Sequence, residues 1–515
     1  MKKWIDEHRE LILLVFVLPL GKIMSIIAKI RYVLTSPKIA EHDNRVQRIQ
    51  KQISQNSSSE KPMRTDRKGN ETLETRSSDK SNSTIIKVKD LRRILSVDEE
   101  KGIVRIEPYV TIGELVAYLD KRGLELETAI EMKGATMGGL VLAIGMTTHS
   151  HIAGLMSDIV ESYKVVTANG ELIHVTKDGA HADLFKVIPM SHGTLGIIVA
   201  MELRIKKAPK FVELVYRPFY NFEEFIAEHT RLLKKEEPVY YLEAQVFGKD
   251  KAVIIEGYPS EKKDLPINKI NSWYKPFFFK HVESKLKMGK GSEYRELVPN
   301  AEFLMRHERS MCMTLGKILP TANAPWFRIP FGWLLPPFLP LLKMSRPREE
   351  RERSMKEQVY QDIGFPQEKL KDVLTHLDEE FEIYPLLLYP CRVFDNGGLI
   401  RLPGNHGKKH EGKAESKLYF NLGIYGEPKA IRNGDKTYPT IAKVREVEQL
   451  ICDMGGFLHT YVDIFSTEEE FEEMFDHSLW YEMREKYKVN NTFPTIYEKV
   501  KPEVNPFDLM DEAPV

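Results

Sequence analysis

A glycine-rich stretch, Lys133–Gly145, places the strongest constraint on what this chain can fold into. Its glycines alternate with threonine and apolar residues, so the backbone can approach a ligand closely and offer N–H groups to phosphate. It matches neither G-x-G-x-x-G nor a P-loop. A second loop of similar composition, Ser191–Gly196, directly precedes an alternating strand. Two such loops suit a large cofactor held from two sides; the alternative is that the glycines serve tight helix packing alone.

The residues around these loops predict an α+β domain. Thr84–Leu91 and Gly102–Val110 alternate like strands, and Thr111 begins a helix with a capping box. Asn169-Gly170 joins two alternating runs, which predicts a hairpin with a type I′ turn.

Composition excludes several classes of protein. The 515 residues, 42% of them hydrophobic, are enough for several domains. Seventy-five basic residues balance 75 acidic ones, which argues against a nucleic-acid partner. Three scattered cysteines (Cys312, Cys391 and Cys452) assemble neither a disulfide framework nor a Cys-based zinc site, and we predict no metal. A mean hydropathy of -0.35 excludes a polytopic membrane protein but not a single anchor.

The first apolar run predicts such an anchor. Leu11–Gly21 is uncharged but too short to cross a bilayer, and residues 11–34 suffice only if Lys22 and Lys29 extend to the interface. We therefore predict a single-pass or interfacial anchor, with a signal peptide or a buried soluble helix as alternatives. Basic residues are more frequent after the run than before it, which places the body in the cytoplasm.

Two later segments differ sharply in composition. From about Glu41 to Ser83 apolar residues almost vanish, which predicts a solvated linker or long loop. Pro325–Leu342 is instead rich in aromatic residues and proline; it is either buried core or an apolar wall for a lipid substrate or a second membrane contact. Strands such as Tyr241–Val246 and helices such as Gln367–Leu377 predict an antiparallel sheet flanked by helices around it.

Several strings are too unusual for composition to produce. Ala135–Gly139, Gly145 and Gly193–Ile198 resemble the FAD-binding domain of the vanillyl-alcohol-oxidase (PCMH) type. Arg105–Gly113 and Ser150–Leu155 more closely resemble the Diminuto-like delta-24 sterol reductase family. The resemblance covers nearly the whole chain and continues in these later segments: Ile188–Gly196, Trp273–His281, Arg306-His307, Phe327–Pro337, Ile383–Leu386, Tyr425–Pro428, Gly456–Asp463 and Glu473–Asp476.

This resemblance implies a two-subdomain PCMH-type FAD-binding domain, a cap domain with an antiparallel sheet and helices, and an N-terminal hydrophobic anchor. The implied activity is reduction of the delta-24 side-chain double bond of a sterol, with FAD and with NADPH as the electron source. The implied location is the endoplasmic reticulum membrane, with the body facing the cytoplasm and the N-terminal segment in contact with lipid. No oligomeric state is predicted. The predicted division is anchor 1–40, polar linker 41–83, FAD-binding domain 84–208, cap 209–450 and a C-terminal segment 451–515 that returns to the flavin domain.

The resemblance also assigns site residues. Tyr461 is the preferred proton donor, with Asp463 on the same face of a predicted strand; Tyr425 and Glu427 form a second candidate pair, and the alternative is that Tyr461 is an ordinary core tyrosine. Covalent flavin attachment at His149, His151 or His192 is not expected. The residues expected to line FAD are Thr136, Met137, Gly138, Gly139, Leu140, Gly145, Thr147, Thr148, Ser150, His151, Gly154, Ser191, Gly193, Thr194 and Gly196.

Two departures from the family keep other functions open. The acidic pair before the Thr-x-Gly-Gly segment is replaced by Met132–Ala135, and the upstream flavin loop is replaced by the charged stretch Arg67–Thr72. The alternatives are a flavin oxidase or dehydrogenase of another lipophilic substrate, and a membrane-tethered scaffold of the same fold that has lost its flavin.

Overall fold

The described part of the chain begins with one long apolar helix. A computed structural model describes residues 9–510 apart from 58, 69–79, 345–347, 411 and 413. The N-terminal helix consists of α1 (Arg9–Ile12), a π-helical turn (Leu13–Val17) and α2 (Leu18–Leu34). Over Glu10–Leu34, 25 residues, it is long and apolar enough to cross a membrane. The predicted anchor is therefore helical.

The polar stretch that follows is folded, so the predicted linker over 41–83 is wrong in its first part. His42–Asn56 forms helix α3. One face of α3 is buried through Val46, Ile49 and Ile53 in a hydrophobic cluster with strands of the first domain. These residues recur at i, i+3 and i+7, which is a helical stripe that the average composition conceals.

Buried charges fix α3 on the first domain. The Glu107 carboxylate accepts hydrogen bonds from Arg45 Nη2 and His42 Nδ1, each at 2.7 Å. All three side chains are buried. Removing one partner of such a group leaves an uncompensated charge, so the cluster holds α3 in one position.

The first domain contains one large antiparallel sheet and a short parallel pair. Its strands are β1 (Met63–Thr65), β2 (Thr84–Ile86), β3 (Ile94–Asp98), β4 (Ile103–Ile106), β5 (Leu124–Leu126), β6 (Val160–Val166), β7 (Leu172–Thr176) and β8 (Ile197–Lys207). The order in the large sheet is β3-β4-β8-β6-β7, with β5 also on β8, whereas β1 pairs with β2. The Thr111 capping box is confirmed. The hairpin β6-β7 is confirmed too, but its turn is not type I′, because Gly170 has a positive φ and Asn169 does not.

The second domain is built on a larger antiparallel sheet with the order β12-β9-β11-β10-β14-β15-β13-β16. These strands are β9 (Phe211–Phe219), β10 (Tyr241–Gly248), β11 (Lys251–Ser260), β12 (Tyr294–Pro299), β13 (Val359–Pro366), β14 (Leu386–Asp395), β15 (Glu415–Gly426) and β16 (Phe457–Leu458). The predicted antiparallel cap sheet is confirmed. One hydrophobic cluster runs through both domains and includes Ile106 and Leu203 of the first sheet and Leu388 and Leu422 of the second.

Helices cover the sheets and connect the strands. In the first domain they are α4 (Ile112–Asp120), α5 (Met137–Leu142), α6 (Ser150–Ala153) and α7 (Ala182–Val187). In the second domain they are α8 (Phe222–Leu233), α9 (Phe278–Glu283), α10 (Asn300–Leu304), α11 (Leu315–Ile318), α12 (Pro325–Phe331), α13 (Leu339–Met344), α14 (Arg348–Glu357), α15 (Leu370–Glu380), α16 (Lys429–Arg432) and α17 (Thr440–Asp453). The C-terminal segment adds α18 (Glu468–Met474), α19 (Ser478–Lys486), α20 (Ile496–Val500) and α21 (Pro506–Met510).

The buried face of α3 gives a stability prediction. Ile49→Ala removes a side chain that is 1% exposed, so we expect the free energy of unfolding in urea to fall by about 2–4 kcal/mol. Lys51→Ala on the exposed face of the same helix is the control and should change it by less than about 0.5 kcal/mol. Equal effects of the two substitutions would contradict the packing of α3.

Candidate active site

The glycine-rich segment lies between the two sheets. Thr136 bridges to Thr111 and immediately precedes α5. Three residues beyond the other end of the segment, the carbonyl of Thr148 accepts a hydrogen bond from Leu242 N of β10 at 2.9 Å. The segment therefore joins the first domain to the cap sheet.

Several of its predicted flavin-lining residues also pack closely against the protein. A Cβ on Gly138 would lie 2.7 Å from Pro108 Cβ, and a Cβ on Gly145 would lie 2.9 Å from Ile130 Cγ1. Met137 is fully buried in the core. Leu140 packs beside Gly145. Gly154 has a φ of +80°, in the region that favours glycine, and a Cβ there would lie 2.9 Å from Phe394 Cε2.

Gly139 has different surroundings, because a cation lies beside it. Arg67 Nη1 donates to Thr136 Oγ1 at 2.5 Å, and a Cβ on Gly139 would lie 3.2 Å from the same nitrogen. A guanidinium next to a hydroxyl and a bare backbone is a donor set suited to a diphosphate. The charged upstream stretch therefore brings a guanidinium to the predicted cofactor surface; its residues 69–72 lie outside the described ranges.

The histidines of this segment tie the domains together. His149 Nδ1 donates to the carbonyl of Tyr240, and His151 Nε2 donates to the carbonyl of Val239, each at 2.7 Å. Burial and Lys206 lower the pKa of His149 to about 3, so the ring is neutral. Ser150 is bonded within the segment, because its Oγ accepts from Thr147 N at 2.9 Å.

The second predicted flavin loop, Ser191–Gly196, contacts the C-terminal segment. His192 Nε2 and Thr460 Oγ1 lie 2.6 Å apart, and Trp480 Nε1 donates to Thr194 Oγ1 at 2.9 Å. Within the loop, Ser191 Oγ donates to the carbonyl of Ile188, and Gly196 packs against β6 with a φ of +151°. A Cβ on Gly193 would meet nothing closer than 3.8 Å, so space is left beside this glycine.

A buried chain of charges crosses from the glycine-rich segment into the cap. Thr147 Oγ1 and Arg306 Nη2 donate to Glu131 Oε1 at 2.6 and 2.9 Å. Arg306 Nε also donates to Glu243 Oε2 at 2.8 Å, and His307 Nε2 lies 3.0 Å from Glu243 Oε1. Burial alone would raise the pKa of Glu243, but Arg306 and His307 hold it at about 2.

Strand pairing brings a carboxyl and two phenols together beside this chain. The short strand β16 pairs with β13, and His459 N donates to the carbonyl of Asp362 at 3.0 Å, so Tyr461 lies close to Asp362. Gly423 of β15 is opposite Asp362. A Cβ on Gly423 would lie 2.7 Å from the Tyr425 hydroxyl, so glycine leaves room for that ring.

These three groups form a proton-handling cluster. Tyr425 OH donates to Asp362 Oδ2 at 2.6 Å, and the Tyr461 phenol lies close enough to the Asp362 carboxyl to lower its pKa. Burial raises the pKa of Asp362 to about 7, although both tyrosines oppose the shift. Burial and the Asp362 charge raise the pKa of Tyr461 well above its usual value, so the phenol stays protonated. A carboxyl that titrates near neutrality between two phenols can hold, deliver and recover a proton.

The expected partner of Tyr461 is therefore wrong. Residues 459–463 form a turn, so Tyr461 and Asp463 do not share a strand face. Asp362, which no sequence pattern singled out, lies beside Tyr461 where Asp463 was expected. No local sequence motif predicts the position of Asp362, because only the pairing of β13 with β15 and β16 brings it next to Tyr425 and Tyr461.

The His459 ring lies beside Tyr461 and leaves two buried nitrogens for the fit of a ligand to be tested against. Its ring is fully buried and stacks on Tyr461 with ring centroids 5.5 Å apart. Among the residues that the structure describes, neither ring nitrogen has a hydrogen-bond partner. Because buried polar groups are nearly always satisfied, a bound flavin or substrate that meets these nitrogens fits the site.

The backbone bordering this cluster is strained. Met311, Cys312 and Met313 have φ values of 48°, 49° and 73°. Each left-handed non-glycine residue costs on the order of 1–3 kcal/mol. Burial and the charges of Glu131 and Asp362 raise the pKa of the Cys312 thiol, so it stays protonated beside the cluster.

The comparisons with known proteins agree with this geometry. Residues 42–176 match the FAD binding domain family, and the match begins with α3. The Homo sapiens Delta(24)-sterol reductase is 34% identical over 502 residues, 96% of this chain and 93% of that protein. The Arabidopsis thaliana Delta(24)-sterol reductase is 32% identical over 427 residues, 80% of this chain and 75% of that protein. A D-lactate dehydrogenase from Anaerostipes hadrus matches 28% of the chain at 31% identity.

An FAD-binding domain under an antiparallel cap, with a proton-handling cluster near the glycine loops, defines a flavoprotein oxidoreductase. Within this class, the chain belongs to the Delta(24)-sterol reductase family.

The packing of Gly138 gives a test of its role. Gly138→Ala forces a methyl group against Pro108, so we expect a loss of about 1–3 kcal/mol in unfolding free energy with normal FAD content per folded molecule. Gly248→Ala is the control, since its Cβ would meet only Lys251 Cβ at 3.9 Å. Loss of FAD without loss of stability would instead place Gly138 against the cofactor.

Proposed function

We propose that the protein reduces the delta-24 double bond in the side chain of a sterol, with FAD as its cofactor and NADPH as the source of electrons. The observation that carries the proposal is the Asp362–Tyr461 cluster in a chain that belongs to the Delta(24)-sterol reductase family over 96% of its length. When bound in its reduced form, FAD supplies a hydride.

The residues that would hold FAD come from both loops. Arg67, Thr136 and Gly139 would face the diphosphate, because they combine a cation, a hydroxyl and an open backbone. The Ser191–Gly196 loop and His459 would border the ring system, because space beside Gly193 and unmet ring nitrogens are found there.

The protein must supply a proton to complete the reduction. An isolated alkene is not polarised, so proton transfer to one carbon must accompany hydride addition to the other. Tyr461 would donate its phenolic proton to the alkene, and Asp362 would return a proton to the resulting phenolate. Tyr425 would orient Asp362 through its 2.6 Å hydrogen bond. Burial of the Asp362 carboxyl keeps competing water away from the proton that it holds.

We place the enzyme on the endoplasmic reticulum membrane with its body facing the cytoplasm. Support comes from the apolar N-terminal helix and from three cysteines that are all free.

Spectroscopy and product analysis test the activity. Purified protein should show flavin absorbance bands near roughly 370 and 450 nm. With NADPH and a sterol that carries a delta-24 double bond, it should form the saturated side chain. Oxygen consumption without any need for NADPH would favour an oxidase, and absence of flavin bands after reconstitution would favour a scaffold; either outcome contradicts the proposal.

Two substitutions test the proton path. Tyr461→Phe should retain FAD and lower kcat by about 10²-fold or more. Asp362 is protonated below pH 7, so kcat should fall as the pH rises through about 7. This fall is the limb of the pH profile near pH 7. Asp362→Asn should lower kcat and abolish the limb.

Glu448→Gln is the matched control for the pH profile. Burial also raises the pKa of Glu448 to about 7, but this carboxyl is bonded to Ser466 and Phe465, not to the tyrosine pair. The Glu448 variant should keep the limb near pH 7. A limb that survives in Asp362→Asn and disappears in Glu448→Gln would refute the assignment.

A further inference from the structure

The N-terminal helix contacts the folded body near both of its ends. Near its start, Glu10 Oε1 accepts a hydrogen bond from Thr321 N of the cap at 2.9 Å. Near its end, Tyr32 OH donates to the carbonyl of Arg92 of the first domain at 3.3 Å. The Arg92 guanidinium also lies 4.3 Å from the centroid of the Tyr32 ring.

Its middle lies along the cap as well. Leu18 is 1% exposed and packs in a cluster with Phe327 and Leu334. A Cβ on Gly21 would lie 3.2 Å from Phe338 Cβ, and Lys22 Nζ donates to the carbonyl of Trp333 at 2.8 Å. The helix is therefore docked on the body at several points along its length.

This docking is incompatible with a helix that crosses a bilayer alone. Twenty-five residues at 1.5 Å each span about 37 Å, slightly more than a hydrocarbon core of about 30 Å. A crossing helix has its ends on opposite sides of the membrane, whereas both ends of this helix contact one charged, folded body. The helix must lie on the same side as that body.

The outer side of the helix is nevertheless apolar. Residues Ile26–Arg31 are all exposed, so this part of the helix stands away from the body. No residue in the described part of the chain covers this side. Six of its exposed apolar residues follow one another at spacings of three and four along the helix: Phe16, Leu20, Ile23, Ile27, Ile30 and Leu34. Leu11, Val15, Ile26 and Val33 are exposed as well.

The aromatic-proline segment extends this apolar surface. Trp326 is 63% exposed and Trp333 is 49% exposed, and Ile329 and Phe331 between them are also exposed. Exposed Trp273 and Tyr274 adjoin them, since Arg328 Nε donates to the carbonyl of Tyr274 at 3.0 Å. Tryptophan side chains are enriched where protein meets the headgroup region of a bilayer.

The charge of this surface is one-sided. Residues 11–34, 268–281 and 318–343 contain no aspartate or glutamate, although the whole chain carries as many acidic as basic residues. Their charged side chains are all basic and include Lys29, Lys275 and Arg328. Anionic headgroups attract such a surface by about 1 kcal/mol per basic residue.

We propose that the N-terminal helix and the exposed residues of 273–274 and 326–333 form a single face that binds an anionic lipid bilayer, with the helix lying in the plane of the membrane. This membrane face explains the uncovered apolar stripe, the exposed tryptophans and the one-sided charge together. The proposal does not depend on the reaction that the enzyme catalyses.

Vesicle flotation of the full-length, FAD-loaded protein tests the membrane face. Binding should be at least about tenfold stronger to vesicles of phosphatidylcholine with phosphatidylserine than to phosphatidylcholine alone. Trp326→Ser combined with Trp333→Ser should weaken binding at least about tenfold, with unchanged flavin absorbance and thermal unfolding. Tyr481→Ser, which replaces an aromatic residue 49% exposed on the C-terminal segment, should leave binding unchanged. Wild-type binding by the double tryptophan variant would overturn the proposal.

Protease protection tests the orientation of the helix. Epitope tags at the two ends of the chain in sealed microsomes should be equally accessible to added protease, because an in-plane helix leaves both ends on one side. Cleavage of only one tag in intact microsomes, with cleavage of both after detergent, would show a spanning helix and overturn the proposal. Activity toward detergent-solubilised sterol is measured separately, so a failure of the proposed reaction is distinguishable from a failure of this membrane topology.

Discussion

The buried Arg306 guanidinium, held between Glu131 and Glu243, is the interaction on which the arrangement of the two domains depends. Glu131 lies two residues before the glycine-rich segment, whereas Glu243 belongs to the cap strand β10. In a low-dielectric interior either carboxylate alone would be costly to bury, so the two domains must meet where one cation serves both. This contact sets how far the proton-handling cluster lies from the cofactor loops.

Much of this architecture could be predicted from short patterns. The capping box at Thr111, the β6-β7 hairpin and the strands of the cap are local features, and their signals lie within a few residues of one another. The glycine loops were found by the same means, but a glycine pattern cannot distinguish a backbone that faces a ligand from one that faces Pro108. That distinction depends on which segment packs against α5, the helix that contains Gly138.

The features that escaped prediction depend on contacts distant in sequence. Helix α3 was missed because its polar residues outnumber the apolar stripe that anchors it, and because its charge Arg45 is buried against Glu107. Asp362 carries no local signal at all. Its pKa and its phenol partners arise only when three strands meet, and a pattern within one strand cannot reveal that.

The apolar cluster under the N-terminal helix has a kinetic consequence. It contains Leu18 of that helix together with Met313 and Tyr389, and the Tyr389 hydroxyl accepts a hydrogen bond from Arg306. The bilayer-facing helix and the buried charge chain thus border one continuous apolar region. A sterol that enters the enzyme from the bilayer would be encountered at its mole fraction in the membrane, so diluting it with inert phospholipid would slow turnover at constant bulk concentration.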